Sequence, residues 1–134
     1  MSESRAQGRI VLVAPELGFT LYRNNVGALR DARGRVVRYG LANETAALNR
    51  RIKSGDLIGI RQVLIEPHHV GLTLGQFASV EVKEPGWAYS GRGREPAQLA
   101  WIEHVRKLGG FACFADGPEG LTVAHSINKL SNNF

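Results

Sequence analysis

Asp56 and the triplet Glu81-Val82-Lys83 are the residues of this 134-residue chain whose types and spacing could do chemistry. Side chains of a strand alternate faces, so Glu81 and Lys83 would stand side by side if 76–83 is extended. A hairpin joining 56–60 to 76–83 would bring Asp56 to the two of them. Adjacent carboxylates repel unless a cation lies between them. Hard oxygen donors suit Mg²⁺ or Mn²⁺, which keep waters and take phosphate oxygens. A lysine two residues on could orient a water or offset charge building on a phosphate. The plain alternative is a solvated strand face, where Glu-x-Lys pairs are common.

These residues need elements to hold them. Ala6, Ile10, Val13, Ala14 and Leu17 fit one helical face, with Ser4 and Gln7 as a capping box. That helix is expected to end near Glu16, because Pro15 disturbs its last turn. Residues 19–23 alternate as a short strand. Residues 24–40 are rich in Gly and Arg and read as a loop or hairpin, with a strand at 35–39. Asn43 is expected to cap a short helix over 44–50. Residues 56–60 form a strand that runs on towards Ile65, and 67–71 is the tip of the expected hairpin. In 76–83 the residues Ala78, Val80 and Val82 share one face, opposite Phe77, Ser79, Glu81 and Lys83. Residues 84–94 are a glycine-rich loop. Pro96 opens a helix that buries Leu99, Ile102, Val105 and Leu108 and stops at Gly109-Gly110. Residues 111–115 form a buried strand, and the polar residues 126–134 are expected to fray. The order α-β-(α)-β-β-α-β describes an α/β sandwich around a mixed sheet, with residues 1–134 as a single domain.

Composition narrows the partners. The chain is 43% hydrophobic and 22% charged, as soluble globular proteins are. Its apolar runs fall far short of a membrane span, and its polar start lacks a signal peptide's apolar stretch. The single cysteine, Cys113, fits a reducing cytoplasm. Residues 1–55 hold ten basic and four acidic residues, a net +6, while 56–134 hold seven and eight, a net −1. Thirteen of the seventeen cations are arginine, whose planar fork suits phosphate. A polyanion partner is one reading, and an ordinary basic surface the other.

A longer string of residues is more specific than any of its parts. Asp56 at the mouth of the apolar Leu57-Ile-Gly-Ile60, followed by Glu81-Val-Lys83, resembles the PD-(D/E)XK nuclease superfamily, with Gly55-Asp56 in place of Pro-Asp. Leu21-Tyr-Arg-Asn-Asn-Val-Gly27, Ser54-Gly-Asp-Leu-Ile-Gly59, Gln76-Phe-Ala-Ser-Val-Glu-Val-Lys83, Gln98 with Trp101-Ile102, and Gly109-Gly-Phe-Ala112 follow in order. Together they resemble the VRR-NUC branch, in its small stand-alone phage and bacterial form, over about residues 3–116. The resemblance implies a restriction-endonuclease-like core, a mixed β-sheet flanked by helices in the order α-β-β-β-α-β. It also implies Mg²⁺-dependent hydrolysis of DNA phosphodiesters, with Mn²⁺ as a substitute and branched DNA such as Holliday junctions as a target. Asp56 and Glu81 match the metal-binding acids, joined by the main-chain carbonyl of Val82. Lys83 matches the catalytic lysine, Gln98 an active-site glutamine, and Glu3, less closely, an acid of the first helix.

Other residues keep two readings. Arg23, Asn24 and Asn25 either touch DNA or shape a turn; the resemblance favours DNA contact for Arg23. Arg30, Arg33, Arg35 and Arg38 form either a basic arm along a DNA backbone or a solvated hairpin. His68-His69 lacks a third ligand at zinc spacing and reads as a turn. Trp87 and Tyr89 could stack on an unpaired base, cover the sheet or meet a second copy, and Cys113 reads as packing. Cutting both strands of a junction needs two sites, so a homodimer is expected, through 61–76 or 87–101. A non-catalytic nucleic-acid-binding module and a sequence- or end-directed nuclease are the competing functions.

Overall fold

The computed structural model describes residues 2–127. The chain divides into two units, residues 1–63 and 64–134. Among the described residues it is a mixed α/β protein with four α-helices and three two-stranded sheets.

In the first unit, α1 (Glu3–Val13) begins at Ser2, whose hydroxyl accepts the Arg5 N–H at 3.3 Å. The cap thus lies two residues before the expected Ser4. Pro15 has no N–H to continue the helix, and Ala14–Leu17 tightens into a 3₁₀ turn. β1 (Phe19–Arg23) pairs antiparallel with β4 (Leu57–Arg61), Arg23 opposite Leu57 and Leu21 opposite Gly59. Gly59 is obligatory there, since a Cβ would fall 1.9 Å from the Thr20 carbonyl oxygen. β2 (Gly27–Arg30) and β3 (Val36–Tyr39) form an antiparallel hairpin. α2 (Ala46–Arg51) is capped by the Thr45 hydroxyl, which accepts the Leu48 N–H at 3.0 Å.

Asn43 is therefore not the cap. It is 1% exposed, and its amide donates to the carbonyls of Gly27 (2.7 Å) and Tyr39 (2.8 Å). A side chain able to cap a helix is equally able to satisfy the inner edge of a hairpin, and here the hairpin takes it.

In the second unit, Pro67–His69 is a single 3₁₀ turn, closed by the Glu66 N–H donating to His69 Nδ1 at 3.0 Å. β5 (Ala78–Val82) lies parallel to β6 (Phe111–Ala115), Glu81 opposite Phe114 and Val82 opposite Ala115. The helix between them, α3 (Glu95–Lys107), supplies the crossover a parallel pair needs. Ile102 and Val105 of α3 are buried with Ala112, Cys113 and Ala115 of β6, and this is the unit's core. Gly109, at φ 91°, ends α3 where expected. α4 (Pro118–Ile127) closes against β6. Residues 128–134, within the segment expected to fray, lie outside the described residues.

Two further expectations are corrected. Strands β4 and β5 do not form a hairpin with each other: β4 pairs with β1, and β5 with β6. The alternation along β5 holds, but Val82 is 74% exposed while Ser79 and Glu81 are half-buried. The polar face is the one turned to α3, because hydrogen bonds to that helix anchor it.

Candidate active site on β5 and α3

Parity along β5 and helical spacing along α3 bring five residues into register. Ser79, Glu81 and Lys83 share a strand face, and Gln98 and Trp101 stand three residues apart on α3. Trp101 Nε1 donates to Ser79 Oγ at 2.9 Å. Gln98 Nε2 donates to Glu81 Oε1 at 2.8 Å, and Lys83 Nζ donates to Gln98 Oε1 at 2.7 Å. Gln98 therefore joins Glu81 and Lys83 through opposite ends of one amide. Neither bond survives a flip of that amide, because a carboxylate only accepts and an ammonium only donates. The rise of two strand residues nearly matches one helical turn, which lets both contacts form at once.

The lysine is also held from above. Its Nζ lies 5.4 Å from the Trp87 ring centre and 5.6 Å from that of Phe114. The Trp87 ring lies 4.7 Å from that of Phe114, so of its three expected roles it takes the one of covering the sheet. Glu95 fixes this loop. Its carboxylate accepts from Trp87 Nε1 (3.1 Å), the Ser90 N–H (2.8 Å), the Ser90 hydroxyl and the Gly91 N–H (3.1 Å). The Ser90 N–H is the main cause that holds the Glu95 carboxyl below its ordinary range, against a smaller upward push from desolvation. Asp116 Oδ2 takes the Gly86 N–H at 3.0 Å and ties down the loop's start.

Two oxygens remain for another partner. Glu81 Oε2 has no hydrogen-bond partner among the described residues. Phe111 donates its N–H to the Phe77 carbonyl, and Lys83 its N–H to the Ala115 carbonyl, so the odd residues of this ladder face β6. The Val82 carbonyl is consequently turned to the opposite edge of β5.

Asp56 belongs to the first unit, exposed at the mouth of β4. Its main-chain carbonyl accepts the Asn24 N–H at 2.8 Å. The Asn24 amide donates to Ser54 Oγ (2.8 Å) and the Gly55 carbonyl (2.9 Å), and its Oδ1 accepts the Leu41 N–H (3.3 Å). Asn24 thus shapes the turn that presents Asp56. Arg23 ends β1 with its side chain exposed, Asn25 is exposed in the following loop, and Glu3 is exposed in the first turn of α1.

The arginines of 30–38 are partly engaged within their hairpin. Arg30 donates to the Gly34 carbonyl, and Arg35 pairs with Asp31 at 2.8 Å. The Arg33 side chain is exposed in the turn. Arg38 is half-buried and donates to Asn43. Cys113 packs in the core, where burial pushes its thiol above the ordinary range despite the opposing charge of Arg106.

No family model, curated protein or solved structure matches this chain. Among the described residues no cluster of three or more His, Cys, Asp or Glu forms a metal cage, and no helix is long and apolar enough to cross a membrane. Glu95 and the Ser79–Trp101 bond are the contributors that sequence reasoning missed. Ser90, Gly91 and Gly93 just before a glutamate at a helix start were the available signal for the first.

Proposed function

We propose that this protein is a metal-dependent DNA endonuclease of the VRR-NUC type, on a restriction-endonuclease-like core, acting on branched DNA. The observation that carries the reading is the Glu81–Gln98–Lys83 chain. It links a carboxylate, an amide and an ammonium from two elements, the three residues to which the resemblance gives active-site roles. On this reading Glu81 and the Val82 carbonyl would be donors for Mg²⁺ or Mn²⁺, and Asp56 is the further metal-binding acid that the resemblance names. All are hard oxygens, and the free Glu81 Oε2 and outward Val82 carbonyl fit that use. Once bound, such an ion supplies acidification of a water and neutralisation of phosphate charge.

The protein's own groups do the rest. Gln98 orients the Glu81 carboxylate and holds Lys83 Nζ on one side, while Trp87 and Phe114 shield it on the other. A restrained ammonium can donate to a nonbridging phosphate oxygen, or orient the attacking water, without first losing side-chain freedom. Arg23, Asn25 and Arg33, with the partly engaged Arg30, Arg35 and Arg38, contact the DNA backbone; Asn24 acts by shaping the turn before Asp56. Glu3 is the first-helix acid of this reading. The protein works in the cytoplasm, and cutting both strands of a junction calls for two copies as a C₂ homodimer.

The test incubates pure protein with labelled four-way junction, flap and linear duplex, with and without Mg²⁺ or Mn²⁺. Cleavage is expected only with metal and fastest on the junction. Asp56→Ala, Glu81→Ala and Lys83→Ala should each abolish it while their thermal melts stay cooperative. Tight DNA binding without cleavage in either metal would overturn the reading in favour of a binding module. Faster cutting of linear duplex than of junctions would overturn the branched-DNA assignment.

A further inference from the structure

The first unit holds a cavity of about 330 Å³ lined by Val26, Gly27, Ala28, Arg38, Asn43, Asn49 and Lys53. Two cations and two amides form its polar wall, and no carboxylate lines it. Among the described residues neither Arg38 nor Lys53 has an acidic partner at ion-pair distance. A part-buried guanidinium with no counterion keeps its charge and its free donors available to an anion.

Arg38 is also held in one orientation. Its Nε and Nη2 donate to Asn43 Oδ1 at 3.1 and 2.7 Å, and Nε also reaches the Asn43 carbonyl at 3.1 Å. Asn43 is itself fixed by Gly27 and Tyr39. Those bonds leave Nη1 unpartnered on a guanidinium whose plane is already set. Lys53 Nζ donates to Asn49 Oδ1, which keeps the second charge on the rim of the same cavity. A fixed fork beside a flexible ammonium is a donor set for tetrahedral oxyanions. The volume lies at the low end of small-ligand sites, roughly 300–1,000 Å³, with room for one phosphoryl group and an attached sugar.

We propose that this cavity is a receptor for a single phosphoryl group, carried by a nucleic-acid backbone or by a small phosphorylated compound. The first source rests on the DNA reading above; the second stands without it. The test is titration of ¹⁵N-labelled full-length protein with inorganic phosphate at constant ionic strength, following the Arg38 Nε–H and Asn43 side-chain amide signals. Saturable shifts are expected at these signals. Arg38→Gln and Lys53→Gln should each weaken binding about tenfold, one charge-assisted bond's worth, and Lys107→Gln in the second unit should leave it unchanged. Lys53→Gln keeps the test decisive if loss of Arg38 disturbs the hairpin. Shifts that never saturate, that chloride reproduces, or that both variants retain in full would overturn the proposal. Short duplex DNA moving the same signals identifies the backbone as the source. Adenosine monophosphate moving them when duplex DNA does not identifies a small compound. Absence of nuclease activity would leave the phosphate result intact, so the two readings fail separately.

Discussion

Replacing Gln98 by methionine keeps the length of the side chain and removes both of its hydrogen bonds. Those bonds, at 2.8 Å to Glu81 and 2.7 Å to Lys83, each have one charged partner. Such bonds contribute about 1.5–3 kcal/mol apiece when water is excluded. Glu81 and Lys83 are only half-buried, so water takes over part of each. A net loss of about 1–2 kcal/mol in folding stability is expected for Gln98→Met, within the ordinary range for breaking a partly exposed network. The sharper quantity is the coupling between Gln98 and Lys83. Urea unfolding of Gln98→Met, Lys83→Met and the double variant closes a cycle. The interaction energy should be about 1 kcal/mol, since the bond to Lys83 is lost only once. On the nuclease reading Gln98→Met should also cost about tenfold in cleavage rate, near 1.4 kcal/mol of barrier, since it releases both Glu81 and Lys83. Stability losses that add to within about 0.5 kcal/mol would refute the bridge, because unlinked residues behave that way.

Three further outcomes are expected. The Glu95 carboxyl titrates below its unfolded value near ~4.3, so its stabilisation of the 84–94 loop is complete above that pH and lost as pH falls through the lower folded value. In a Trp101→Phe background, Trp87 emission should report that acid transition, and Glu95→Gln should remove it; an unchanged transition would count against the latch. Asn43→Ala removes the part-buried hydrogen bonds to the Gly27 and Tyr39 carbonyls and the one to Arg38. It should lower stability by about 2–3 kcal/mol in chemical denaturation; a loss under about 0.5 kcal/mol, as at an ordinary surface site, would deny the residue its structural role. Gly59→Ala would drive a methyl into the Thr20 carbonyl and should destabilise by more than about 2 kcal/mol, read as faster amide exchange across β1 and β4.

Local patterns located most of the elements that matter. Alternation marked β1 to the residue, Pro96 and Gly109 bracketed α3, and period two put Glu81 and Lys83 on one face. Strand partners were not legible, because alternation says which way side chains point and nothing about which strand lies beside them. The 56–60 and 76–83 segments are neighbours in sequence order, yet β4 chose β1 and β5 chose β6. Burial on β5 was misjudged for a related reason. Valine looks like the inward residue until a helix with a glutamine and a tryptophan bonds to the other face. Asn43 was ambiguous in principle, since its chemistry suits a cap and a hairpin hub equally. α4 opens on Pro118-Glu119, a helix-start signal that the flanking Gly117 and Gly120 blur. Within the candidate site, Glu81, Lys83 and Gln98 are legible in the sequence and Glu95 is not. Its role depends on loop N–H groups, which every residue but proline has and composition therefore cannot single out.

The parallel ladder of β5 and β6 ties two alternations to one count. The residues whose main chain faces β6 are those whose side chains meet α3. An insertion of one residue between Ala78 and Ser79 would keep a two-stranded sheet, yet it would deliver valines to Gln98 and turn both charges away. An insertion of two would restore the faces and merely shift the pair along the helix. Length changes in this strand are thus tolerated by parity rather than by size. A natural variant of the protein that keeps its site should differ here by an even number of residues or by none.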